Sequence, residues 1–79
     1  METKTYPVSE RTQQQLDNAF TYHAPKADQL PRYEALRAGA KLFAEMIVSF
    51  CPESREKSLA LTHLKLSVRM ANAAIARNE

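Results

Sequence analysis

The 79-residue sequence contains one glycine, one cysteine and no tryptophan, and no apolar run approaches about 20 residues. The single glycine, Gly39, excludes a glycine-rich phosphate loop, so a phosphate would have to be held by side chains, a helix end or ordinary backbone. The single cysteine, Cys51, excludes an intramolecular disulfide and is typical of a reducing compartment. Because no signal peptide or membrane-spanning segment is evident, we expect a cytoplasmic protein without a membrane partner.

Residues that could support catalysis or metal binding are also sparse. His23 and His63 lie forty positions apart, without a cysteine or carboxylate at ligand spacing, so no metal site is predicted. Cys51 precedes Pro52 at a predicted helix end and is interpreted as a small packed residue. No serine, threonine or cysteine is paired with an evident base. We therefore predict a binding protein that is not an enzyme and needs no cofactor.

The charge balance argues against a protein that coats nucleic acid. Eleven Lys and Arg residues face nine Asp and Glu residues, which gives a net charge of +2. Reading duplex DNA would require a helix with a basic face, whereas the last predicted helix mixes its charges with a long apolar seam. A small regulator that binds protein or nucleic acid therefore remains the second interpretation.

The most regular feature of the chain is an apolar periodicity over residues 28–79. Spacings of three and four define a first seam of Leu36, Ala40, Phe43, Ile47 and Phe50. They define a second seam of Leu61, Leu64, Val68, Ala71 and Ile75. Pro52 ends the first helix and Ser54 caps the second, so the pattern predicts an antiparallel helical hairpin.

A shorter helix is expected before the hairpin. Residues 1–8 are interpreted as a flexible leader, and residues 9–79 as a single helical-hairpin domain. Ser9 is a good N-cap for a helix over about residues 10–21. Its apolar strip is too narrow to fold alone, so this helix should pack on its own hairpin or on a partner's.

The connection to the hairpin is rigid. Pro25 and Pro31 prevent a continuous helix through residues 21–31. Asp28 is the best N-cap for the long helix, residues 30–50, and Pro31 is tolerated in its first turn.

Each hairpin helix carries a second apolar row outside its seam. These rows comprise Leu42 and Met46 in the first helix, and Leu59, Leu66, Met70 and Ala73 in the second. A two-helix hairpin has one internal interface, and so small a chain has little stability to spare. We therefore expect an all-α homo-oligomer in which other copies cover these rows.

Aromatic and basic residues alternate near the start of the hairpin, and the antiparallel return brings the end of the last helix beside them. The candidate binding residues are Tyr22, His23, Lys26, Arg32, Tyr33, Arg37, Asn72 and Arg77. Flat rings stack on bases and guanidinium groups hold phosphate oxygens, which suits a nucleotide-like anion. The alternative is that the rings are core residues and the cations are solvated. His23 could equally contact a ligand or pack within its loop.

Four strings carry a resemblance to a known family: FTYHAPK at 20–26, RYEALR at 32–37, SREKSLALT at 54–62 and ANAAIARN at 71–78. They are similar to the helical-hairpin domain shared by phage anti-CBASS cyclic-oligonucleotide sponges and anti-Thoeris sponges for cyclised ADP-ribose signals. The resemblance covers about residues 20–79 in order. It implies a non-enzymatic phage protein, commonly a homohexamer, that sequesters nucleotide immune messengers in the infected cytoplasm.

The resemblance also implies roles for individual residues. By order and spacing, Tyr22 and Arg37 match the tyrosine and basic residue with which two adjacent chains of a sponge hold the ligand. Tyr22 would then stack on a base, and Arg37 and Lys26 would contact phosphate. Asn72 or Arg77 would add polar contacts. The basic family residue is often lysine, so Arg37 would change the geometry and the preferred ligand. In the last helix, Lys65 and Arg69 also depart from similar anti-Thoeris sequences, so the pocket wall there would differ.

Overall fold

The computed structural model describes residues 3–79, and its regular secondary structure over that range is entirely α-helical. The three helices are α1 (Glu10–Phe20), α2 (Leu30–Phe50) and α3 (Arg55–Asn78). The predicted all-α class, with a short helix before a hairpin, is confirmed. The first two residues of the predicted leader lie outside the described residues.

Helix α1 begins where the sequence predicts. Ser9 has an extended backbone, and its hydroxyl accepts a hydrogen bond from the backbone N–H of Thr12 at 3.1 Å. The helix ends at Phe20, after which Thr21 is extended. Leu16 and Phe20 remain 44% and 85% exposed, so α1 does not bury its apolar strip within one chain.

The start of α2 differs from the prediction, because Asp28 is not its cap. Gln29 takes the N-cap position, and its side chain turns back to accept a hydrogen bond from the backbone N–H of Lys26 at 2.9 Å. A backbone turn from Lys26 to Gln29 places Gln29 at the helix end and leaves it buried. The exposed Asp28 carboxylate instead lies 3.9 Å from Arg32. Pro31 occupies the first turn, as predicted.

The hairpin turn is held by a buried lysine. Ser54 caps α3, as predicted, and accepts from the backbone N–H of Lys57 at 3.1 Å. The Lys57 ammonium donates to the carbonyl oxygen of Val48 at 3.0 Å and to the Glu53 carboxylate at 2.7 Å. It thereby satisfies a carbonyl at the end of α2 that has no partner within the helix. Cys51 is exposed in this turn, so its interpretation as a packed residue was wrong for the single chain.

The hairpin seam is as predicted on α3 and only partly so on α2. All five predicted α3 seam residues are half-buried. On α2 the half-buried residues are Tyr33, Ala40, Ala44 and Ile47. Leu36, Phe43 and Phe50 are instead 36%, 55% and 77% exposed. Two faces of α2 have helical apolar spacing, and the face rich in alanine is the one that approaches α3 closely.

The described residues of the single chain form no closed core. Among the described residues no apolar side chain is buried, and the solvent-accessible surface is 6965 Å². A folded monomer of 9.0 kDa is expected to expose about 4,900 Å². The radius of gyration is 18.3 Å, against about 12 Å for a compact domain of this length. An open hairpin of this kind leaves its apolar rows available to other molecules.

Candidate functional site

A cavity of about 630 Å³ lies where the α1–α2 loop meets the start of α2 and the end of α3. Six of the eight candidate residues line it: Tyr22, His23, Tyr33, Arg37, Asn72 and Arg77. Two parts of the chain that are distant in sequence, residues 19–37 and 72–77, therefore meet at one place. We call this space the aromatic pocket.

The two tyrosines of the aromatic pocket differ in exposure. Tyr22 follows α1 and is 84% exposed, whereas Tyr33 on α2 is half-buried. An exposed ring is free to stack on a planar ligand, and a half-buried ring forms part of a wall. The pocket can therefore offer both an exposed and a half-buried aromatic surface.

Arg37 from α2 and Arg77 from α3 supply positive charge to the pocket. Among residues 3–79 neither guanidinium forms a hydrogen bond or ion pair. Glu34 also lines the pocket, yet it forms no ion pair with Arg37 within 4 Å, although the sequence spacing allowed one. Two unengaged guanidinium groups suit the oxygens of a phosphate.

His23 fastens the loop to the end of α1. Its Nε2 lies 2.9 Å from the carbonyl oxygen of Asn18, and since a carbonyl only accepts, Nε2 is assigned as the donor. The half-buried ring also lines the pocket. Packing within the loop is thus observed, and ligand contact by His23 stays a prediction.

Asn72 lines the pocket and also contains an unsatisfied polar atom. Its Oδ1 is buried and has no hydrogen-bond partner in the described part of the chain. Leaving such an acceptor unpaired costs about 1–3 kcal/mol. A donor from outside the single chain, on a ligand or on another copy, would remove this cost.

Lys26 and Arg32 do not line the pocket; both contact Glu79. The Lys26 ammonium donates to the backbone carbonyl oxygen of Glu79 at 2.5 Å. Arg32 forms a two-point ion pair with the Glu79 carboxylate, which also accepts a longer hydrogen bond from Gln29 at 3.4 Å. The hydrogen bond from Arg32 is the main cause that lowers the pKa of Glu79 to about 2, and the same bond raises the pKa of Arg32. These two cations are therefore engaged within the chain.

Glu79 is the residue that sequence reasoning missed. The antiparallel return correctly predicted that the end of α3 lies near residues 26–37. It did not indicate which side chain would make the contact, because the nearest candidates, Arg77 and Asn78, are not acidic. The signal available in the sequence was one acidic residue, Glu79, at the end of the last helix, which is predicted to lie beside the basic residues of 26–37.

Two further findings concern metal binding and membrane crossing. Among residues 3–79, no group of three or more His, Cys, Asp and Glu side chains is placed to hold a metal ion. In the same range no helix combines the length and the apolar character needed to cross a membrane.

A comparison with protein families shows which family the chain matches. The model of the family described as "Acb2/Tad1, hairpin domain" matches residues 12–76, which is well over half of the chain and includes all of α2. Comparisons with curated proteins and with solved structures gave no significant match. The chain therefore belongs to the Acb2/Tad1 hairpin family, the anti-CBASS and anti-Thoeris sponges.

Proposed function

We propose that this protein binds nucleotide immune second messengers in the aromatic pocket and sequesters them without cleavage. The messengers are cyclic di- or trinucleotides or cyclised ADP-ribose, and the effect is to block CBASS or Thoeris signalling in the cytoplasm of a phage-infected bacterium. Family membership supports the anti-defence role. The observation that carries the ligand assignment is the convergence of six aromatic, basic and polar candidate residues on one cavity.

In this proposal each side chain has a distinct task. Tyr22 stacks on a base, and Arg37 and Arg77 contact phosphate oxygens. Asn72 accepts a hydrogen bond from the ligand at its unpaired Oδ1. Lys26 and Arg32 act indirectly: by binding Glu79 they hold the end of α3 against the start of α2.

The proposed active form is a homo-oligomer, and we infer a hexamer. Relative to a compact monomer of the same mass, the chain exposes an excess of about 2,000 Å², which is the order of area that stable interfaces bury. Leu42, Phe43, Met46, Leu66 and Met70 are each between 46% and 62% exposed. Assembly of residues 9–79, with residues 1–8 as a leader, would cover these side chains.

Calorimetry against a panel of cyclic dinucleotides, cyclic trinucleotides and cyclised ADP-ribose tests the proposal. At least one messenger should bind, and Tyr22→Ala with Arg37→Ala should abolish that binding. Tyr6→Ala with Arg55→Ala is the matched control, since it removes the same side-chain types from exposed positions outside the pocket. Light scattering should give the same mass for all three proteins. The absence of heat with every messenger would refute the proposal.

Sequestration without cleavage requires a separate measurement. Messenger released by denaturing the loaded protein should elute from a column unchanged after prolonged incubation. Any protein-dependent product would contradict the sponge mechanism and indicate an enzyme.

The rival proposal is a small helical regulator that binds protein or nucleic acid. The observation in its favour is a set of unpaired cations on α2 and α3. A mobility shift of duplex DNA at moderate salt, retained by the Tyr22 and Arg37 double variant, would support it.

A further inference from the structure

Three side chains near the start of α2 converge on Glu79, the residue at the C-cap of α3. Lys26 donates to its backbone carbonyl oxygen, while Gln29 and Arg32 donate to its carboxylate. Gln29 is 2% exposed, and its side-chain oxygen also accepts a hydrogen bond from the backbone N–H of Lys26. This buried amide therefore joins the α1–α2 loop to the end of α3. We call these four residues the Glu79 clasp.

The Glu79 clasp is the only polar link between the start of α2 and the end of α3 in the described part of the chain. Its hydrogen bonds to Glu79 join residues 47 to 53 positions apart. Every other side-chain hydrogen bond within residues 3–79 joins residues at most nine positions apart. Apolar packing restrains the helices weakly, because no apolar side chain in that range is buried. The angle between the helices at their open end therefore depends on the clasp.

The clasp lies at the end of the hairpin opposite the turn, where a change of angle has its largest effect. Helix α2 has 21 residues and is about 30 Å long, so a change of about 5° moves its start by about 2–3 Å. That displacement is comparable with the length of a hydrogen bond. Each clasp cation, and Glu79 itself, is within two residues of a residue that lines the aromatic pocket: Pro25, Tyr33 or Arg77. The clasp therefore controls the width of the pocket.

We propose that Glu79 is a positioning residue for messenger binding, which holds Arg37 and Arg77 at the separation that suits one size of cyclic nucleotide. This inference rests on the proposed function, in which the two arginines contact phosphate oxygens from α2 and α3. The phosphates of a cyclic nucleotide are held in a ring, so their separation depends on the size of the ring. Glu79 acts through its clasp partners, since it does not line the pocket and its carboxylate is occupied by Arg32.

The test is calorimetry of the full, assembled chain with a cyclic dinucleotide, a cyclic trinucleotide and cyclised ADP-ribose at neutral pH. Glu79→Gln should weaken the tightest of these about tenfold and narrow its margin over the next, because the pocket then samples several widths. The control, Glu45→Gln, removes the same charge from a carboxylate that has no hydrogen-bond partner within residues 3–79. It should change each affinity by less than about twofold. Light scattering should give one mass for all three proteins.

Exchanging the two charges separates positioning from a direct effect of Glu79 on the messenger. Arg32→Glu and Glu79→Arg should each weaken binding, and the double variant, which restores an ion pair of reversed polarity, should bind more tightly than either. Additive losses would overturn the inference, as would unchanged affinity in Glu79→Gln. Tighter binding by Glu79→Gln would also overturn it, because Glu79 would then compete with the messenger for Arg32 and Lys26.

Hydrogen exchange without messenger tests the structural step separately. Glu79→Gln should speed amide exchange over residues 26–33 and 72–78 and leave residues 48–58, around the turn, unchanged. Equal exchange in wild type and variant would refute the positioning role while leaving the proposed function intact. A wild type that binds no messenger would refute the proposed function, and this inference with it.

Discussion

Arg32 and Glu79 form a two-point ion pair, with Nη1 2.7 Å from Oε2 and Nη2 2.5 Å from Oε1. It joins the start of α2 to the residue that directly follows α3. Arg77 lies only two residues before Glu79. The pair therefore helps to set the position of Arg77 relative to Arg37 across the aromatic pocket.

Acid should weaken this contact in a defined pH range. The folded-state pKa of Glu79 is about 2, below its ordinary value of 4.5, so the carboxylate stabilises the fold fully above about pH 4.5 and loses that effect as the pH falls towards 2. Glu79→Gln should lower the denaturation midpoint at neutral pH, and its difference from wild type should disappear by about pH 2.

Glu45→Gln is the control for this prediction, because the Glu45 carboxylate has no hydrogen-bond partner in the described chain. Its denaturation midpoint should follow that of wild type at every pH. If Glu79→Gln also did so, the ion pair would have no energetic role.

Replacing Lys57, in the hairpin turn, should destabilise the fold more than replacing its exposed neighbour Arg55. Lys57→Met removes the hydrogen bond to the Val48 carbonyl and the ion pair with Glu53, so we expect a loss of about 1–3 kcal/mol in the free energy of unfolding. Urea denaturation measures this loss. Arg55→Met removes an exposed cation two residues away and should cost less than about 0.5 kcal/mol. Equal effects would show that Lys57 acts only through its charge.

A charge on the exposed apolar row should disrupt assembly. Phe43 is 55% exposed in the single chain, and Phe43→Asp would place a carboxylate where we expect another copy to pack. Light scattering should shift from a multiple of 9.0 kDa towards 9.0 kDa. Val8→Asp, at a 57% exposed position before α1, should leave the mass unchanged. An unaltered oligomer in Phe43→Asp would exclude this row from the interface.

Replacing Asn72 should stabilise the fold and weaken messenger binding. Asn72→Leu replaces an amide whose buried Oδ1 has no partner with an apolar group of similar shape, which we expect to raise the free energy of unfolding by about 1 kcal/mol and weaken messenger binding about tenfold. Chemical denaturation and calorimetry measure the two effects. Asn78→Leu, on an exposed residue of the same helix, should produce neither. Unchanged affinity in Asn72→Leu would remove Asn72 from the site.

Local signals predicted most of the fold. Ser9 and Ser54 cap helices because their hydroxyls reach the backbone of the next turn, and Pro52 stops α2 for an equally local reason. The N-cap of α2 was predicted wrongly: Asp28 is the better cap by type, but a backbone turn places Gln29 at that position.

The errors in the tertiary predictions have a common cause. Periodicity locates an apolar face, but α2 has two such faces, and only packing against α3 selects the one with Ala44. Spacing likewise placed Arg32 near the end of α3, while its engagement by Glu79 depends on side-chain geometry that one-dimensional patterns do not contain. The chemistry of the side chains was enough to select the candidate residues from the sequence. The structure was needed to show which of them line the aromatic pocket and which contact Glu79.

The weak packing of helix α1 within the single chain has a consequence for messenger binding. In the part of the chain that the structure describes, α2 and α3 form the only extensive contact between helices, so an isolated copy holds α1 and the neighbouring Tyr22 weakly. Neighbouring copies would then fix Tyr22 and complete the proposed messenger site. The amount of messenger bound should therefore rise more steeply than in proportion to the protein concentration. The first copies synthesised should bind little, and binding should increase sharply once the subunits assemble.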